Sequence, residues 1–198
     1  MIVVGILMPG APSTAAVVEI ARRAAATGAR TEIVGVAPAG AAGDRQLVEL
    51  AAAGVGHATV TRSGAAGVEP GTAVGIQPGT VGIEPADLEL ALRYLPDIRA
   101  IVLVEPDEAL LATASAASAW SGTTLIVVGT AEADYAATGS AASGSATTAE
   151  PIVLQPPARD PDGAFAGLVA ALAVRLDAGE VPAVAWQATL AALAVDPA

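Results

Sequence analysis

The stretch that decides the fold is AIVLV at residues 100–104, followed by a helical pattern from Asp107 to Trp120 and then by TTLIVV at residues 123–128. Short, continuous apolar runs of this kind are typical of strands that are buried on both faces, and such strands occur in parallel sheets. Neighbouring parallel strands need a crossover, which is usually a helix. The order strand, helix, strand therefore predicts an α/β domain with a parallel central sheet.

The same alternation continues on both sides of this unit. The apolar run IVVGILM at residues 2–8 ends at Pro9-Gly10 and predicts another strand that is buried on both faces. The further predicted elements are a helix capped by Ser13 or Thr14 and running to Gly28, a strand at Thr31–Ala37, a helix at Asp44–Gly54, a strand at Ala58–Thr61, a helix at Pro85–Leu95, a strand at Ile152–Leu154, a helix opened by Asp160-Pro161 and running through Leu176 to a stop near Gly179, and a final helix at Pro182–Leu193. Together they predict one three-layer αβα domain over residues 1–198, with a mostly parallel sheet.

Two segments interrupt the alternation. Between residues 63 and 85 the sequence becomes a near-repeat of Gly, Val or Ile, an acid or amide, and Pro. Within it, Gln77-Pro78-Gly79-Thr80 places Pro and Gly as a type II turn requires, which predicts a small β-hairpin near 68–83. Residues 136–149 contain only Ala, Thr, Gly and Ser, and they bury too little apolar surface to offset the entropy of ordering. We expect a mobile loop there.

Composition and charge exclude several classes of protein. The formal net charge is −11 and all nine basic residues are scattered Arg, so the field of the protein repels nucleic acid. No Cys is present, which excludes disulfides, thiolate nucleophiles and Cys-based metal sites. No basic residue precedes the first apolar run, and no run resembles a spanning helix. We expect a cytoplasmic protein with no membrane or nucleic-acid partner.

Isolated polar and aromatic residues allow two interpretations each. His57 is the only histidine, and we expect it at the surface of a strand edge. Asp107 and Glu108 could bind a cation, but the position after a strand and before a helix favours a helix cap. Trp120 and Trp186 are expected to fill core or interface space. We predict no metal site.

Several motifs resemble those of the ribokinase (PfkB) family of carbohydrate kinases. The run ARRAAATGA at residues 21–29, leading into IVGV at 33–36, is similar to the family's "ArLGa…vGxvG" helix and strand. The segment from Gly43 to Val55 resembles "GxxLlxxLxxxGV", and Pro85–Leu88 resembles the family's "l-x-p-x-d-l" helix. Thr72-Ala73-Val74 and the following turn are similar to part of the family's β-lid. The resemblance implies a ribokinase-like fold in which the hairpin is a remnant of the lid.

The family's signature, G-A-G-D-[A/T]-F-x-G, corresponds here to DPDGAFAGL at residues 160–168. In the family, the signature Asp is the general base for the sugar hydroxyl, and backbone amides at the helix start bind the transferring phosphoryl group. The resemblance therefore implies Asp160 and Asp162 as catalytic candidates and Gly163 and Ala164 as anion-binding residues. Aligned on Phe165 and Gly167, however, the family's Asp falls on Gly163, so the carboxylate is displaced by one residue. Capping and the helix dipole account for both acids without a catalytic role, and the sequence favours this structural interpretation.

The family's sugar-binding Gly-Gly-x-x-x-Asn falls near residues 10–14, where Ser13 and Thr14 are the candidate substrate-binding residues and no Asn is present. The chain is also shorter than typical members. We therefore expect a degenerate homologue that keeps a small-ligand or subunit-contact role. The alternatives are an active sugar or nucleoside kinase that requires ATP and Mg²⁺, a Rossmann-like nucleotide or flavin-binding subunit, and a structural subunit that forms a homodimer through the 68–83 hairpin.

Overall fold

A computed structural model of the protein describes residues 2–4, 12–63, 83–95, 97–129 and 150–194. Six strands form one sheet in the order β3-β2-β1-β4-β5-β6, and every neighbouring pair is parallel. The elements are β1 (Ile2–Val4), α1 (Pro12–Ala26), β2 (Glu32–Pro38), α2 (Ala41–Ala52), β3 (Gly56–Ser63), α3 (Pro85–Tyr94), β4 (Ala100–Val104), α4 (Glu108–Ser121), β5 (Thr124–Val128), β6 (Ile152–Leu154), α5 (Ala164–Asp177) and α6 (Pro182–Ala194). The predicted hairpin near 68–83, apart from Ile83, and the loop at 136–149 lie outside the described residues, and Ile83 is buried in a hydrophobic core.

The central strands separate two hydrophobic cores. In β4, Ala100, Val102 and Val104 belong to one core, while Ile101 and Leu103 belong to the other. This division follows from the strand geometry, because successive side chains point to opposite faces of a sheet. All five residues are buried, which explains why this part of the sequence is continuously apolar.

Helices cover both faces of the sheet. The first core takes buried residues from α1, α2, α5 and α6, and the second takes them from α3 and α4. Ile20 of α1 and Leu172 of α5 are completely buried in the first core, and each contributes about 1.5–3 kcal/mol by leaving water. The predicted αβα class with a parallel sheet is therefore confirmed. None of the described helices is long and apolar enough to cross a membrane.

Three predicted helix starts are wrong, and one of them is that of α2, which begins at Ala41 and not at Asp44. Helix α1 begins at Pro12, so Ser13 and Thr14 lie inside its first turn instead of capping it. Proline is favoured at the first helical position because it has no amide hydrogen to leave unbonded. Helix α5 begins at Ala164, not at Asp160-Pro161. Asp160 and Gly163 instead close a turn, in which the Gly163 amide donates to the Asp160 carbonyl at 3.2 Å.

The sheet order also defines a crevice. Strand order reverses between β1 and β4, and the helices that follow these two strands lie on opposite faces of the sheet. In open α/β sheets, ligands bind at such a switch point, outside the carboxyl ends of the strands. The residues that follow β4 therefore border the position where a ligand is expected.

Candidate functional site

Asp160 is bound to the backbone at the start of α5. Its Oδ1 accepts a hydrogen bond from the Phe165 amide at 3.1 Å, and its Oδ2 accepts one from the Ala166 amide at 3.2 Å. Asp160 is half-buried. The first amides of a helix have no partner within the helix, and they are the groups that bind phosphate at helix starts. Here a carboxylate of the chain itself occupies two of them.

Gly163, where the sequence resemblance would place the family's general base, has a left-handed backbone with φ 65°. A Cβ atom at this position would lie 2.7 Å from Nη2 of Arg23 and 3.4 Å from Oε1 of Glu19. A side chain at residue 163 would therefore push the Arg23 guanidinium out of its present position. Glycine suits this position because it adopts a left-handed backbone without strain and has no Cβ to contact Arg23.

Arg23 joins α1 to the start of α5. Its Nε donates to Oε1 of Glu19 at 2.6 Å, and its Nη2 donates to the backbone carbonyl of Asp162 at 3.0 Å. A Cβ at Gly167 would also lie only 3.1 Å from its Nη1. The guanidinium thus packs against Gly163 just before α5 and against Gly167 within it, and it donates hydrogen bonds to Glu19 and to the Asp162 carbonyl.

The predicted catalytic and anion-binding residues lie next to one another, but their side chains have different surroundings. Asp162 is exposed on the turn before α5, and its backbone carbonyl is the group that Arg23 contacts. Ala164 is exposed at the first helical position. The carboxylate that meets the helix amides is that of Asp160.

Ser13 and Thr14 lie in the first turn of α1. Ser13 is half-buried and Thr14 is buried. The start of α5 is linked to α1 through Arg23, which follows Thr14 by nine residues. At a rise of about 1.5 Å per residue this is about 14 Å along the helix axis. The structure therefore places the start of α5 beside the later turns of α1, away from the predicted substrate-binding pair.

At the carboxyl end of β4, Glu105 and Asp107 border the crevice. Glu105 is exposed, has a left-handed backbone with φ 48°, and its amide donates to the Val128 carbonyl at 2.8 Å. Positive φ is uncommon for a residue other than glycine. Asp107 caps α4, since its Oδ1 accepts from the Leu110 amide at 2.8 Å. The prediction that Asp107 is a helix cap is confirmed.

The sequence interpretation missed Arg23 and Glu105. The spacing of Glu19 and Arg23 by four residues predicts an ion pair on one helix face, but it does not reveal that the pair contacts α5. The strained backbone of Glu105 has no clear sequence signal.

His57 lies on the edge strand β3 as predicted, half-buried, with Nδ1 3.3 Å from the Val55 carbonyl. Among the residues that the structure describes, no group of three or more His, Asp or Glu side chains is placed to hold a metal ion.

No family model matches the chain, and no curated protein matches it either. Among the solved structures that are similar is one titled "Crystal Structure of Sa239", with a TM-score of 0.57 and 13% sequence identity. The match covers 100% of this chain and 94% of that chain. At this identity the likeness concerns the fold alone.

Proposed function

We propose that the protein is a ribokinase-like carbohydrate kinase homologue that has lost phosphoryl transfer and keeps a role in binding a small ligand or another subunit. The observation that carries this proposal is that the chain's own charged groups occupy the start of α5. Asp160 takes the Phe165 and Ala166 amides, and Arg23 fills the space beside Gly163. The resemblance assigns the phosphoryl group and the general base to this same location.

The charges there oppose the binding of nucleotide phosphates. Asp160 presents a negative charge at the two amides that would otherwise stabilise a phosphoryl oxygen, and Asp162 adds a second carboxylate nearby. The cation beside Gly163, Arg23, is already paired with Glu19. The residues present therefore do not fit a transferring phosphoryl group, and we derive no catalytic step through ATP or Mg²⁺.

The position of the carboxylate supports the same conclusion. A general base must come within hydrogen-bond distance of the hydroxyl that it deprotonates. The aligned position holds Gly163, and an aspartate there would displace Arg23. Asp160 already accepts two backbone hydrogen bonds, and Asp162 lies exposed outside the helix.

The kinase hypothesis is tested by calorimetry with ATP and Mg²⁺ and by measuring ADP release over a panel of sugars and nucleosides. We expect no saturable ATP binding below millimolar concentrations and no ADP release that depends on an acceptor. Submillimolar ATP binding together with sugar-dependent ADP release would refute the proposal and establish an active kinase. The Asp160→Ala variant serves as the matched comparison, because it removes the carboxylate from the helix amides.

The retained role is tested separately. A thermal-shift screen of sugars and nucleosides examines ligand binding, and light scattering of the full chain and of a chain that lacks residues 68–82 examines assembly through the predicted hairpin. The deletion keeps Ile83, which is buried in the second core. A ligand-dependent rise in Tm supports the binding role, and a dimer that requires residues 68–82 supports the contact role. Failure of both tests would contradict the retained role.

A second candidate is a Rossmann-like subunit that binds a nucleotide or flavin. The observation that favours it is the parallel strand order β3-β2-β1-β4-β5-β6, which is the order of the dinucleotide-binding fold. Such a cofactor would lie at the crevice between β1 and β4, bordered by Glu105, and not at the start of α5. A flavin absorption spectrum in the purified protein, or a rise in Tm with NAD but not with sugars, would establish this alternative.

A further inference from the structure

A second concave surface lies on the opposite face of the sheet from α5. It is a cleft of about 350 Å³ between α3 and α4, near the amino ends of β4 and β5. Its floor is apolar and comes from the second core, through Leu92, Ile101 and Ala117. The cleft is therefore separate from the start of α5 and from the crevice at the carboxyl ends of the strands. The volume is at the lower end of the range for small-molecule sites.

Trp120 provides the aromatic wall of this cleft. It lies in the last turn of α4, and 70% of its surface is exposed. Of the two expected places, core or interface, the structure excludes the core for Trp120, whereas Trp186 does pack against the first core. The face of an indole ring carries negative electrostatic potential and attracts cations more strongly than the other aromatic side chains. An exposed Trp beside an apolar floor is thus suited to a ligand with a cationic head.

The carboxylate of Asp97 gives the cleft a charge that complements a cation. Asp97 and Arg93 both line it. Arg93 is paired with Glu89, with Nη2 2.5 Å from Oε1. Together these three groups carry one net negative charge, which is contributed by the exposed carboxylate of Asp97.

The hydroxyl groups in the cleft also present acceptors. Thr123 Oγ1 donates its proton to the Ile98 carbonyl at 3.0 Å. Ser121 Oγ lies 2.8 Å from the Ala117 carbonyl and 2.6 Å from Thr123 Oγ1. Each hydroxyl has a single proton to donate, so a ligand would meet mainly oxygen lone pairs. A surface of hydrogen-bond acceptors favours a ligand that donates a hydrogen bond or carries a positive charge over a ligand that is an anion.

We propose that this cleft binds a small organic cation with an apolar body, of the quaternary ammonium or alkylamine class. The charged head lies against the Trp120 ring and near Asp97, and the apolar part covers Leu92 and Ile101. This site does not depend on the role proposed for the start of α5.

Choline is the probe for the test, and its neutral isostere, in which a tert-butyl group replaces trimethylammonium, is the matched control. In a Trp186→Phe background, Trp120 is the only tryptophan and can be excited selectively over the two tyrosines, and we expect saturable quenching by choline but not by the isostere. Calorimetry or NMR then compares variants. Asp97→Asn and Trp120→Leu should each weaken choline binding by about threefold or more. Arg93→Gln should leave binding unchanged or strengthen it, because it removes a like charge.

The choice of variants keeps the test interpretable. Asp97 has a left-handed backbone with φ 64°, which Asn adopts more readily than most residues, and Trp120 is on the surface. Both variants should therefore fold, and circular dichroism verifies this. The proposal is overturned if the isostere binds as well as choline, if folded Trp120→Leu binds unchanged, or if choline shows no saturation up to tens of millimolar. Loss of binding in Arg93→Gln would also overturn it, because that result would indicate an anion site.

Discussion

Replacing Asp160 by Ala tests whether this carboxylate stabilises the start of α5. The change removes both acceptor oxygens, Oδ1 at 3.1 Å from the Phe165 amide and Oδ2 at 3.2 Å from the Ala166 amide. Loss of a capping carboxylate costs about 1 kcal/mol, and a second charge-assisted bond adds about 1 kcal/mol. We therefore expect the free energy of unfolding to fall by about 2 kcal/mol. For a chain of this length, the corresponding fall in Tm is about 4–8 °C.

The assay is urea unfolding followed by circular dichroism, with calorimetry for Tm. Asp162→Ala is the matched control, since it removes an acid two residues away whose side chain is exposed and whose contact with Arg23 is made by the backbone. We expect this variant to change stability by less than about 0.5 kcal/mol. Asp160→Asn keeps one acceptor oxygen, so its free energy of unfolding should lie between those of Asp160→Ala and Asp162→Ala. Equal stability of Asp160→Ala and Asp162→Ala would refute the capping role.

Other substitutions test the packing of the sheet and helices. Leu172→Ala should destabilise the protein by about 2–5 kcal/mol because the residue is completely buried, and a loss below 1 kcal/mol in urea unfolding would contradict the core described. Gly43→Ala should cost about 1–3 kcal/mol, since its Cβ would collide with the Pro38 carbonyl oxygen. Gly54→Ala meets no atom within 4 Å, and only its φ of 75° opposes it, so about 1 kcal/mol is expected; a larger loss than for Gly43→Ala would reverse this reasoning. Asp107→Ala should cost about 1 kcal/mol through loss of the Leu110 cap, and unchanged stability would show that water replaces it.

Strands β4 and β6 were predictable to the residue, and β5 to within one. The reason is that β4 and β5 are buried on both faces, so every position must be apolar and the run ends where burial ends. The cap of α4 was also predictable, because Asp107 acts within its own helix turn. A structural feature was predictable from the sequence where the contacts that determine it lie close together in the chain.

The start of α5 was not predictable in this way. Asp160 followed by Pro161 has the composition of an ordinary helix start, and nothing local argues against it. The position of the first helical residue depends on Gly163, whose left-handed backbone lies against Arg23, 140 residues earlier in the chain. A contact between residues this far apart in the chain produces no repeating pattern in the sequence from which it could be predicted. The same limitation applies to Trp120, because the pattern of α4 does not reveal how much of each side chain its neighbours cover.

The hydrogen bonds from the Phe165 and Ala166 amides to Asp160 stabilise the fold, and the same free energy opposes the binding of an anion at these amides. A phosphate that approaches the Phe165 and Ala166 amides must first displace Asp160, so the free energy that the cap gives to the fold is subtracted from the affinity for the anion. About 1–2 kcal/mol corresponds to a five- to thirtyfold weaker affinity. Asp160→Ala should therefore bind inorganic phosphate up to about thirtyfold more tightly than the parent, by a factor that matches its loss of stability. If the variant loses stability without gaining affinity, Asp160 acts only as a cap and is not what keeps phosphate from these amides.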